Sequence, residues 1–445
     1  MKFSFANFFA GWFPGVQKNP RIDTSLRGRT IILVNPGSIQ KKFIWERLKE
    51  LGVVVVALND KKIDSATPYI DHWVLANTTD FSACKNAIKI FLKKHPEISP
   101  EGVLTFWDEC VLLVAYLAEA FAWPGIPFKV AAKIKNKYLF REFCEKHDLP
   151  APRFKKIKST KSIVAASKKL QYPMVIKPVF GASSAFVIRV ENETELKTAS
   201  QSIDTYLADY DMAKEWVNWE LFLEEYIGGD EVDIDILWQN NDLKYFSIID
   251  NNATHEPFFV ETGGHVPSRL PMNKQKALIA MATKTLKTFG VKNGCFHFEA
   301  KIDTRGPMPI EINMRMGGAA VFPFSKFTWG VDLVESAVKI ALGEPLTISK
   351  PAKPLNYLVA KKILPSSSGL VTNFSIDPAL EKQAYFVKLS LEKKVGDTFL
   401  TPPEGYDNCL GWLAVKGATE SEADANLERG FSYITYKLKK LKKSK

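Results

Sequence analysis

The 445-residue sequence predicts a mixed fold, with an α/β region near the N-terminus and α+β regions after it. Short apolar strands alternate with helices over residues 28–128, and polar and apolar residues alternate with a period of two over residues 296–315. The first pattern indicates a parallel sheet covered on both faces by helices. The second indicates a β-hairpin with one buried face.

The first region predicts strands and helices in a regular order. They are a strand at 30–34, a helix at 39–51, a strand at 53–58, a helix at 81–94, a strand at 102–106 and a helix at 109–121. Asn35–Gly37 follows the first strand, where parallel sheets place ligand-binding loops, although it is too short to identify a dinucleotide site. A second polar segment, Trp107–Glu109, follows the strand at 102–106.

The hairpin over residues 296–315 predicts a cation site on its polar face. Glu299 lies on this face of the first strand, and Glu311, Asn313 and Arg315 share it on the second. Carboxylate and amide oxygens suit Mg²⁺, which proteins usually hold with one or two carboxylates plus nucleotide phosphates. The alternative interpretation is an exposed strand face on which Glu and Asn occur by chance.

Two further segments have the composition of nucleotide sites. An apolar strand at 172–178 contains Lys177 near its end and precedes a loop of small residues at 180–185, where backbone N–H groups can approach phosphate oxygens. No Gly-Lys-Ser/Thr sequence opens a helix there, so this loop is not of the Walker type. A strand at 221–225 leads into acidic residues, a Gly-Gly turn at 228–229 and a strand with alternating acids.

Together with Lys133–Lys137, which opens a helical stretch, these segments resemble the ATP-grasp superfamily in order and spacing. The resemblance implies an ATP-grasp fold with an N-terminal parallel-sheet domain, a two-lobed ATP-binding core and a C-terminal α+β domain. It also implies residue roles, namely phosphate binding by Lys137, Lys177, Ser183 and Ser184, backbone contact with adenine by Glu224, Glu225, Tyr226 and Ile227, ribose binding by Glu231, metal binding by Glu299, Glu311 and Asn313, and a place near the reacting phosphate for Arg315.

Two positions depart from the superfamily's pattern. Asn136 stands where an Asp commonly precedes the first lysine, and the loop at 180–185 holds one Gly instead of several. Neither change removes a charged ligand, so the sequence still predicts an active enzyme. Trp107–Glu109 resembles the superfamily's Asp-Glu at the end of a strand.

One segment narrows the expected activity. Residues 259–268 resemble the substrate loop of L-amino-acid ligases and of carnosine-synthase-like proteins. The resemblance implies that Glu261 binds a substrate ammonium group and that His265 acts with Arg315 near the reacting groups. It also implies that Ala319, where some relatives have a bulky aromatic residue, leaves a roomier substrate pocket. A Gly-Gly loop with incidental polar residues is the alternative interpretation.

These features predict a ligase that joins a carboxylate to an amine through an acyl phosphate and releases ADP and phosphate. The expected cofactors are ATP and Mg²⁺, with Mn²⁺ as a substitute, and the expected substrates are amino acids. Two alternatives stay open: an ATP-grasp carboxylase or purine-pathway type of ligase, and a nucleotide-binding interaction protein without catalysis. The identity and order of the substrates and the oligomeric state, including a homodimer, also stay open.

The predicted domain organisation divides the chain at changes in pattern. The segments are an apolar N-terminal extension at 1–27, the parallel-sheet domain at 28–128, the small lobe at 129–205, the large lobe with the metal and substrate sites at 206–350, and a C-terminal domain with a basic tail at 351–445. The tail is expected to end a final helix that begins near Glu422.

Composition limits the partners and the compartment. The formal net charge is +11, but the last nine residues alone hold six lysines and no acids. Without interleaved aromatic residues, such a tail does not predict a nucleic-acid partner. The five cysteines are dispersed without metal-ligand spacing, which indicates a reducing, cytoplasmic location. The apolar N-terminus is too short to span a bilayer, so surface contact through it or the basic tail is the only membrane association left open.

Overall fold

The computed structural model describes residues 24–157, 162–207, 220–318, 320–406 and 409–441. Within these ranges the chain forms four sheets with helices packed against them, which agrees with the predicted mixed fold. The apolar segment before residue 24, Ala319 and the last four residues lie outside the described residues. None of the helices in the described ranges has the length and apolar character that a membrane crossing requires.

The N-terminal sheet is parallel, as the sequence predicts. Its elements are β1 (Thr30–Val34), α1 (Lys42–Leu51), β2 (Val54–Asn59), β3 (His72–Leu75), α2 (Phe81–Lys94), β4 (Gly102–Leu104) and α3 (Val111–Phe121). The strand order is β3-β2-β1-β4, with parallel pairing throughout. Because β1 and β4 are neighbours, the segments that follow their carboxyl ends, Asn35–Gly37 and Trp107–Glu109, lie side by side.

A small antiparallel sheet follows. Its elements are α4 (Phe128–Lys135), α5 (Lys137–Lys146), β5 (Phe154–Lys156), α6 (Ile163–Ser167), β6 (Met174–Pro178), β7 (Ile188–Val190), α7 (Glu193–Leu207) and β8 (Leu221–Glu225). The strand order is β5-β8-β6-β7. Strand β8 pairs with both β5 and β6, so the small sheet extends beyond the predicted boundary at residue 205.

The largest sheet has eight strands and includes the predicted hairpin. The first five of these strands and the helices between and after them are β9 (Asp230–Gln239), β10 (Asp242–Asn251), β11 (Gly263–Val266), α8 (Met272–Thr288), β12 (Gly294–Asp303), β13 (Gly306–Asn313), α9 (Val321–Trp329) and α10 (Leu333–Ala341). The remaining elements of the chain are β14 (Tyr357–Ile363), β15 (Gly369–Ile376), β16 (Phe386–Leu391), β17 (Thr398–Phe399), β18 (Gly411–Gly417), α11 (Glu420–Phe431) and β19 (Ile434–Lys439).

The large sheet continues across the predicted boundary at residue 350. Its strand order is β13-β12-β9-β10-β11-β14-β18-β16, and the C-terminal strand β14 pairs directly with β11. The other C-terminal strands form a small sheet in the order β17-β15-β19. A shared apolar core that includes Leu33, Phe322 and Trp412 packs the N-terminal sheet against the large sheet.

The basic end of the chain is a strand over part of its length, and the predicted helical end is therefore wrong. Helix α11 ends at Phe431, and β19 pairs antiparallel with β15. In β19, Leu438 packs against a neighbouring apolar core while Lys437 and Lys439 flank it. This alternation of period two accounts for the strand, and the lysine-rich composition obscures it.

Candidate active site

The hairpin of β12 and β13 places two carboxylates opposite each other. The register pairs Glu299 with Glu311 and His297 with Asn313, so their side chains share one face of the sheet. The Asn313 side-chain amide donates to Glu299 Oε1 at 3.2 Å and to Glu311 Oε1 at 2.9 Å. The amide therefore holds the two carboxylates together.

The two carboxylates differ in how the protein neutralises them. Burial, and then the charges of Glu311 and Asp233, raise the pKa of Glu299 well above the ordinary value of a glutamate. Burial alone would also raise the pKa of Glu311, but the Lys137 ammonium, 2.6 Å from Glu311 Oε2, holds that pKa well below its ordinary value. Negative charge thus exceeds the positive charge in contact with it at Glu299, which favours binding of a cation there.

Lys137 is placed by the start of α5 and by the loop of small residues. The Asn136 side chain caps this helix by accepting a hydrogen bond from Leu139 N at 2.9 Å. Asn136, which stands where an Asp is common in the family, therefore still caps the helix. Lys137 Nζ also donates to the Gly181 carbonyl at 3.0 Å. The ammonium therefore joins the loop after β6 to the carboxylates of the hairpin.

Lys177 lies in a fully buried cluster of charges. Its Nζ is 2.5 Å from Glu224 Oε1, and Arg141 Nε is 2.8 Å from Glu224 Oε2. Burial lowers the pKa of Lys177 to about 8, although the charge of Glu224 opposes this. The side chain of Glu224 is therefore engaged by Lys177 and Arg141, and the prediction that its backbone contacts adenine does not depend on that side chain.

The aromatic side of the site is built around Lys301. The Lys301 ammonium is 3.1 Å from Glu231 Oε2. It also lies 5.1 Å from the ring centroid of Tyr226 and 5.3 Å from that of Phe259. Such an arrangement orders two aromatic faces beside a carboxylate, which suits a nucleoside.

A cleft with about 790 Å³ of empty space, including open solvent at its mouth, lies between the two lobes. Most of the residues predicted from the sequence to bind ATP and metal line it, namely Lys137, Lys177, Ser183, Ser184, Glu224, Tyr226, Ile227, Glu231, Glu299 and Glu311. Glu261 lines it as well. Glu225, Asn313, Arg315 and His265 are not among the lining residues.

The oxygen ligands in this cleft fit a divalent cation that shares its coordination with a nucleotide. In the described ranges, no group of three or more His, Cys, Asp or Glu side chains could hold a metal on its own. Two facing carboxylates plus phosphate oxygens are the coordination that Mg²⁺ commonly takes. The carboxylate crowding at Glu299 is the observation that supports this fit.

Comparison with known proteins agrees with this geometry. Residues 170–322 match the ATP-grasp domain family. The chain contains an ATP-grasp domain. The fold is also that of the L-amino acid ligase from Bacillus licheniformis, with a TM-score of 0.78 at 21% identity over 93% of this chain and 100% of that one.

Similarity to two curated relatives covers more of the chain than the ATP-grasp domain does. Carnosine synthase 1 from Gallus gallus is 27% identical over 80% of this chain. This chain covers only 40% of the length of that relative. The L-arginine-specific L-amino acid ligase from Bacillus subtilis is 21% identical over 74% of this chain and 79% of its own length.

The predicted substrate loop lies next to the ATP-grasp cleft, and its Glu261 and His265 have different surroundings. The Glu261 side chain is 52% exposed and lies 3.3 Å from Lys362 Nζ, whose charge lowers the pKa of Glu261. His265 lies on β11, with Nε2 3.2 Å from Asp250 Oδ2. Glu261 therefore lines the cleft, whereas His265 is in contact with Asp250 next to it in the sheet.

Arg315 follows the hairpin of β12 and β13 and faces the segment after β4. Its Nε lies 3.9 Å from Asp108 Oδ1, and its Nη1 donates to the Met316 carbonyl at 3.1 Å. Lys135 also contacts Asp108. Its pKa is lowered to about 7, mainly by burial and then by the charge of Lys137. Arg315 thus connects the ATP-grasp site to the N-terminal sheet.

The sequence interpretation missed three features of the site. Lys301 was recognisable, because it shares the polar face of β12 with Glu299 two residues earlier. Arg141 carries no sequence signal of its own, because its burial depends on packing of α5 against β8. The third feature is His297, whose Nδ1 is 3.0 Å from Asp235 Oδ1. Burial alone would lower the pKa of His297, but the charges of Asp233 and Asp235 outweigh burial and raise this pKa.

Proposed function

We propose that this protein is an ATP-dependent carboxylate–amine ligase that joins amino acids and releases ADP and phosphate. The observation that carries the proposal is the pair of facing carboxylates, Glu299 and Glu311, in a cleft that Lys137 and Lys177 also line. This set of charges suits a nucleoside triphosphate and a divalent cation, because metal and lysine charges stabilise the transferred phosphoryl group.

Each part of the cleft has a role in this proposal. The base of ATP lies against Tyr226 and Ile227, the ribose contacts Glu231, and the phosphates extend towards Ser183 and Lys137. Glu299, Glu311 and Asn313 would hold Mg²⁺, or Mn²⁺ in its place. When bound, the metal would neutralise charge on the phosphate oxygens.

The chemistry proceeds in two steps. A carboxylate oxygen of the first substrate attacks the γ-phosphorus, and the bond to the leaving ADP oxygen breaks. The nitrogen of the second substrate then attacks the carbonyl carbon of the acyl phosphate, loses a proton, and releases inorganic phosphate. Arg315 and His265 are the groups that we assign to the developing oxyanion, and one such donor contributes roughly 10²–10³ in rate.

Amino acids are the substrates that the surroundings of the cleft favour. Glu261 is a partly exposed carboxylate at the edge of the cleft, where it can receive a substrate ammonium group. The names of the relatives point the same way, since they include carnosine synthase and L-amino acid ligases. Because the chain spans about two fifths of the length of the carnosine synthases, the substrates are part of the proposal.

A phosphate-release screen of the purified protein tests the proposal. Mg-ATP is supplied with all pairs of amino acids, and the products are identified by chromatography and mass spectrometry. The expected result is a dipeptide or related amide, formed in equal amounts with ADP and phosphate. AMP as the main nucleotide product would contradict the acyl-phosphate mechanism.

Two control reactions separate the alternative functions. Phosphate release that depends on bicarbonate and not on amino acids would indicate a carboxylase. Binding of ATP without turnover under any condition would indicate a nucleotide-binding protein without catalysis.

Removal of divalent metal with a chelator should abolish turnover, and restoring Mg²⁺ or Mn²⁺ separately would identify which metal supports it.

A further inference from the structure

The loop after β6 takes a backbone shape that usually selects glycine, although it contains a single glycine. We call residues 181–187 the serine loop. Ser183, Ser184 and Phe186 have φ values of +54°, +54° and +60°. A turn within the loop is closed by Val187 N, which donates to the Ser184 carbonyl at 3.1 Å. Left-handed backbone favours Gly or Asn and is rare for a bulky residue, so packing must hold this loop in shape.

Phe186 is the residue of the serine loop that packs away from the cleft. Every other residue of this loop lines the cleft between the two lobes. Phe186 is instead only 1% exposed and belongs to the apolar core of the small lobe, with Ile176 of β6 and Leu223 of β8. The loop therefore faces the cleft with its small residues and is anchored behind it by one aromatic ring.

The ring that packs on Phe186 comes from the C-terminal part of the chain. Tyr406 lies between β17 and β18, and its ring centroid is 4.7 Å from that of Phe186. Tyr406 is buried in the core of the small lobe, whose other buried members lie between residues 157 and 223. Aromatic pairs at this separation attract each other beyond the effect of the area that they bury. The C-terminal region thus supplies a ring to the core of the small lobe.

A turn of the large lobe packs against Tyr406 as well. The turn at 255–260 is closed by two backbone hydrogen bonds of 3.0 and 3.3 Å between its end residues. Phe258 in this turn has its ring centroid 6.2 Å from that of Tyr406, edge to face. Arg189 N, in β7, donates to the Pro257 carbonyl at 2.8 Å and ties the turn to the small sheet. Tyr406 therefore contacts rings from both the serine loop and this turn.

We infer that Tyr406 is a positioning residue for the serine loop, and that the C-terminal region thereby contributes to ATP binding. This inference rests on the proposed function, in which the ATP phosphates extend towards Ser183. A loop that packing already holds in one shape loses little conformational freedom when the phosphates bind, which favours affinity. Tyr406 is not among the residues that line the cleft, so it acts on the nucleotide through Phe186.

Calorimetric titration of the whole protein with nucleotides tests this inference. ATP is compared with AMP, which lacks the β- and γ-phosphates, in the presence of Mg²⁺ and without amino acids. Tyr406→Leu keeps an apolar side chain in the core, and it should weaken ATP binding about fivefold and AMP binding less than about twofold. Tyr406→Phe keeps the ring and should bind ATP as the wild type does. A purely structural role would lower the melting temperature and leave the ratio of the two affinities unchanged.

Tyr436→Leu is the matched control, because Tyr436 is a 38% exposed tyrosine of the C-terminal strand β19. It should leave the affinities for ATP and AMP unchanged. A fivefold loss of ATP affinity in this variant as well would overturn the inference, because the loss would then not depend on the contact with the serine loop.

A double-mutant cycle tests whether Tyr406 acts through Phe186. Phe186→Leu alone should weaken ATP binding about fivefold. Because both substitutions remove the same contact, the double variant should also lose about fivefold, and not the roughly 25-fold that independent effects would give. Losses that multiply would overturn the inference, as would unchanged ATP binding by Tyr406→Leu or an equal loss for ATP and AMP.

These measurements distinguish failure of this inference from failure of the proposed function, because they require neither amino acids nor turnover. If no pair of amino acids supports phosphate release, the proposed function fails, while the order of nucleotide affinities among the variants still supports or overturns the role of Tyr406. If the wild type does not bind ATP, both are overturned.

Discussion

Two clusters of lysine and glutamate face the same cleft and are built in opposite ways. In the small lobe, Glu224 contacts both Lys177 and Arg141, so a single carboxylate lies between two cations. On the hairpin, Glu299 faces a second carboxylate, Glu311, and only the latter has a lysine in contact. The small-lobe cluster thus holds one positive charge in excess, whereas the hairpin cluster carries excess negative charge.

This difference teaches which charges serve the fold and which serve the ligand. In the small lobe, removing Arg141 leaves Glu224 paired with Lys177 but takes a charged hydrogen-bond donor from a buried carboxylate, which destabilises the protein. Removing one of two crowded carboxylates relieves repulsion and stabilises the protein in the absence of a cation. Both clusters have the residue types of a catalytic site, so the sign of the effect on stability distinguishes them better than residue identity does.

The largest expected effect is on catalysis, from Glu311→Gln. The substitution keeps the size of the side chain but removes the negative charge that pairs with Lys137 and that belongs to the proposed metal site. We expect kcat/KM for ligation to fall by about 10³-fold or more, with the circular dichroism spectrum unchanged. Asp303→Asn, in an exposed ion pair with Arg305 on the same hairpin, should retain activity within about twofold. An unchanged rate for Glu311→Gln at saturating Mg²⁺ would remove Glu311 from the site.

The next effect is on stability, from Arg141→Met in the small-lobe cluster. Arg141 is fully buried, and its loss leaves Glu224 with Lys177 alone. We expect the free energy of unfolding to fall by about 2 kcal/mol, the cost of losing a hydrogen bond to a buried charged group, because Lys177 still balances the charge of Glu224. Denaturant unfolding measures this. A change of less than about 1 kcal/mol would show that the cluster is already hydrated or weakly coupled.

Glu299→Gln should have the opposite sign on stability while it abolishes activity. Since burial and Glu311 raise the pKa of Glu299 above 4.5, the metal-free wild type loses stability as pH rises from that value through the raised one. The variant lacks this loss, so at neutral pH it should be about 1 kcal/mol more stable than the wild type, and the difference should vanish near pH 4.

Thermal unfolding in a chelator at several pH values, with and without Mg²⁺ and ADP, measures this gain in stability. The ligands should stabilise the wild type more than Glu299→Gln. A loss of stability in Glu299→Gln at every pH would mean that Glu299 is a structural hydrogen-bonding residue, and the contrast between the two clusters would disappear.

The sequence predicted the hairpin cluster because its geometry is local. Alternation of period two places Glu299 and Glu311 on one face once a short turn joins their strands, and the register has this arrangement. The small-lobe cluster was not predictable in the same way. Contact of Lys177 with Glu224 depends on the pairing of β6 with β8, and Arg141 reaches both from a helix.

Distance along the chain limited the prediction elsewhere too. The end of the chain was predicted as a helix because its lysines dominate the composition. The buried Ile434 and the partly buried Leu438 show the strand alternation only once β15 is present as a partner.

The smallest effect that we predict concerns a pair intermediate between the two clusters. Lys301 is buried and contacts Glu231, and it also lies near the ring faces of Tyr226 and Phe259. This lysine both balances a carboxylate and orders the aromatic wall of the nucleotide site. Lys301→Met keeps the apolar volume against the rings and removes only the charge.

We expect Lys301→Met to raise the KM for ATP about tenfold and to change kcat less than about threefold, because the charge orders the nucleoside and is remote from the phosphoryl transfer. Steady-state kinetics at saturating amino acids measures both constants. Lys292→Met, an exposed lysine just before β12, is the matched control and should leave both unchanged. A fall in kcat with an unchanged KM would mean that the charge of Lys301 acts on phosphoryl transfer, as the hairpin cluster does. A fall in melting temperature alone would mean that this charge stabilises the fold, as the contacts of the small-lobe cluster do.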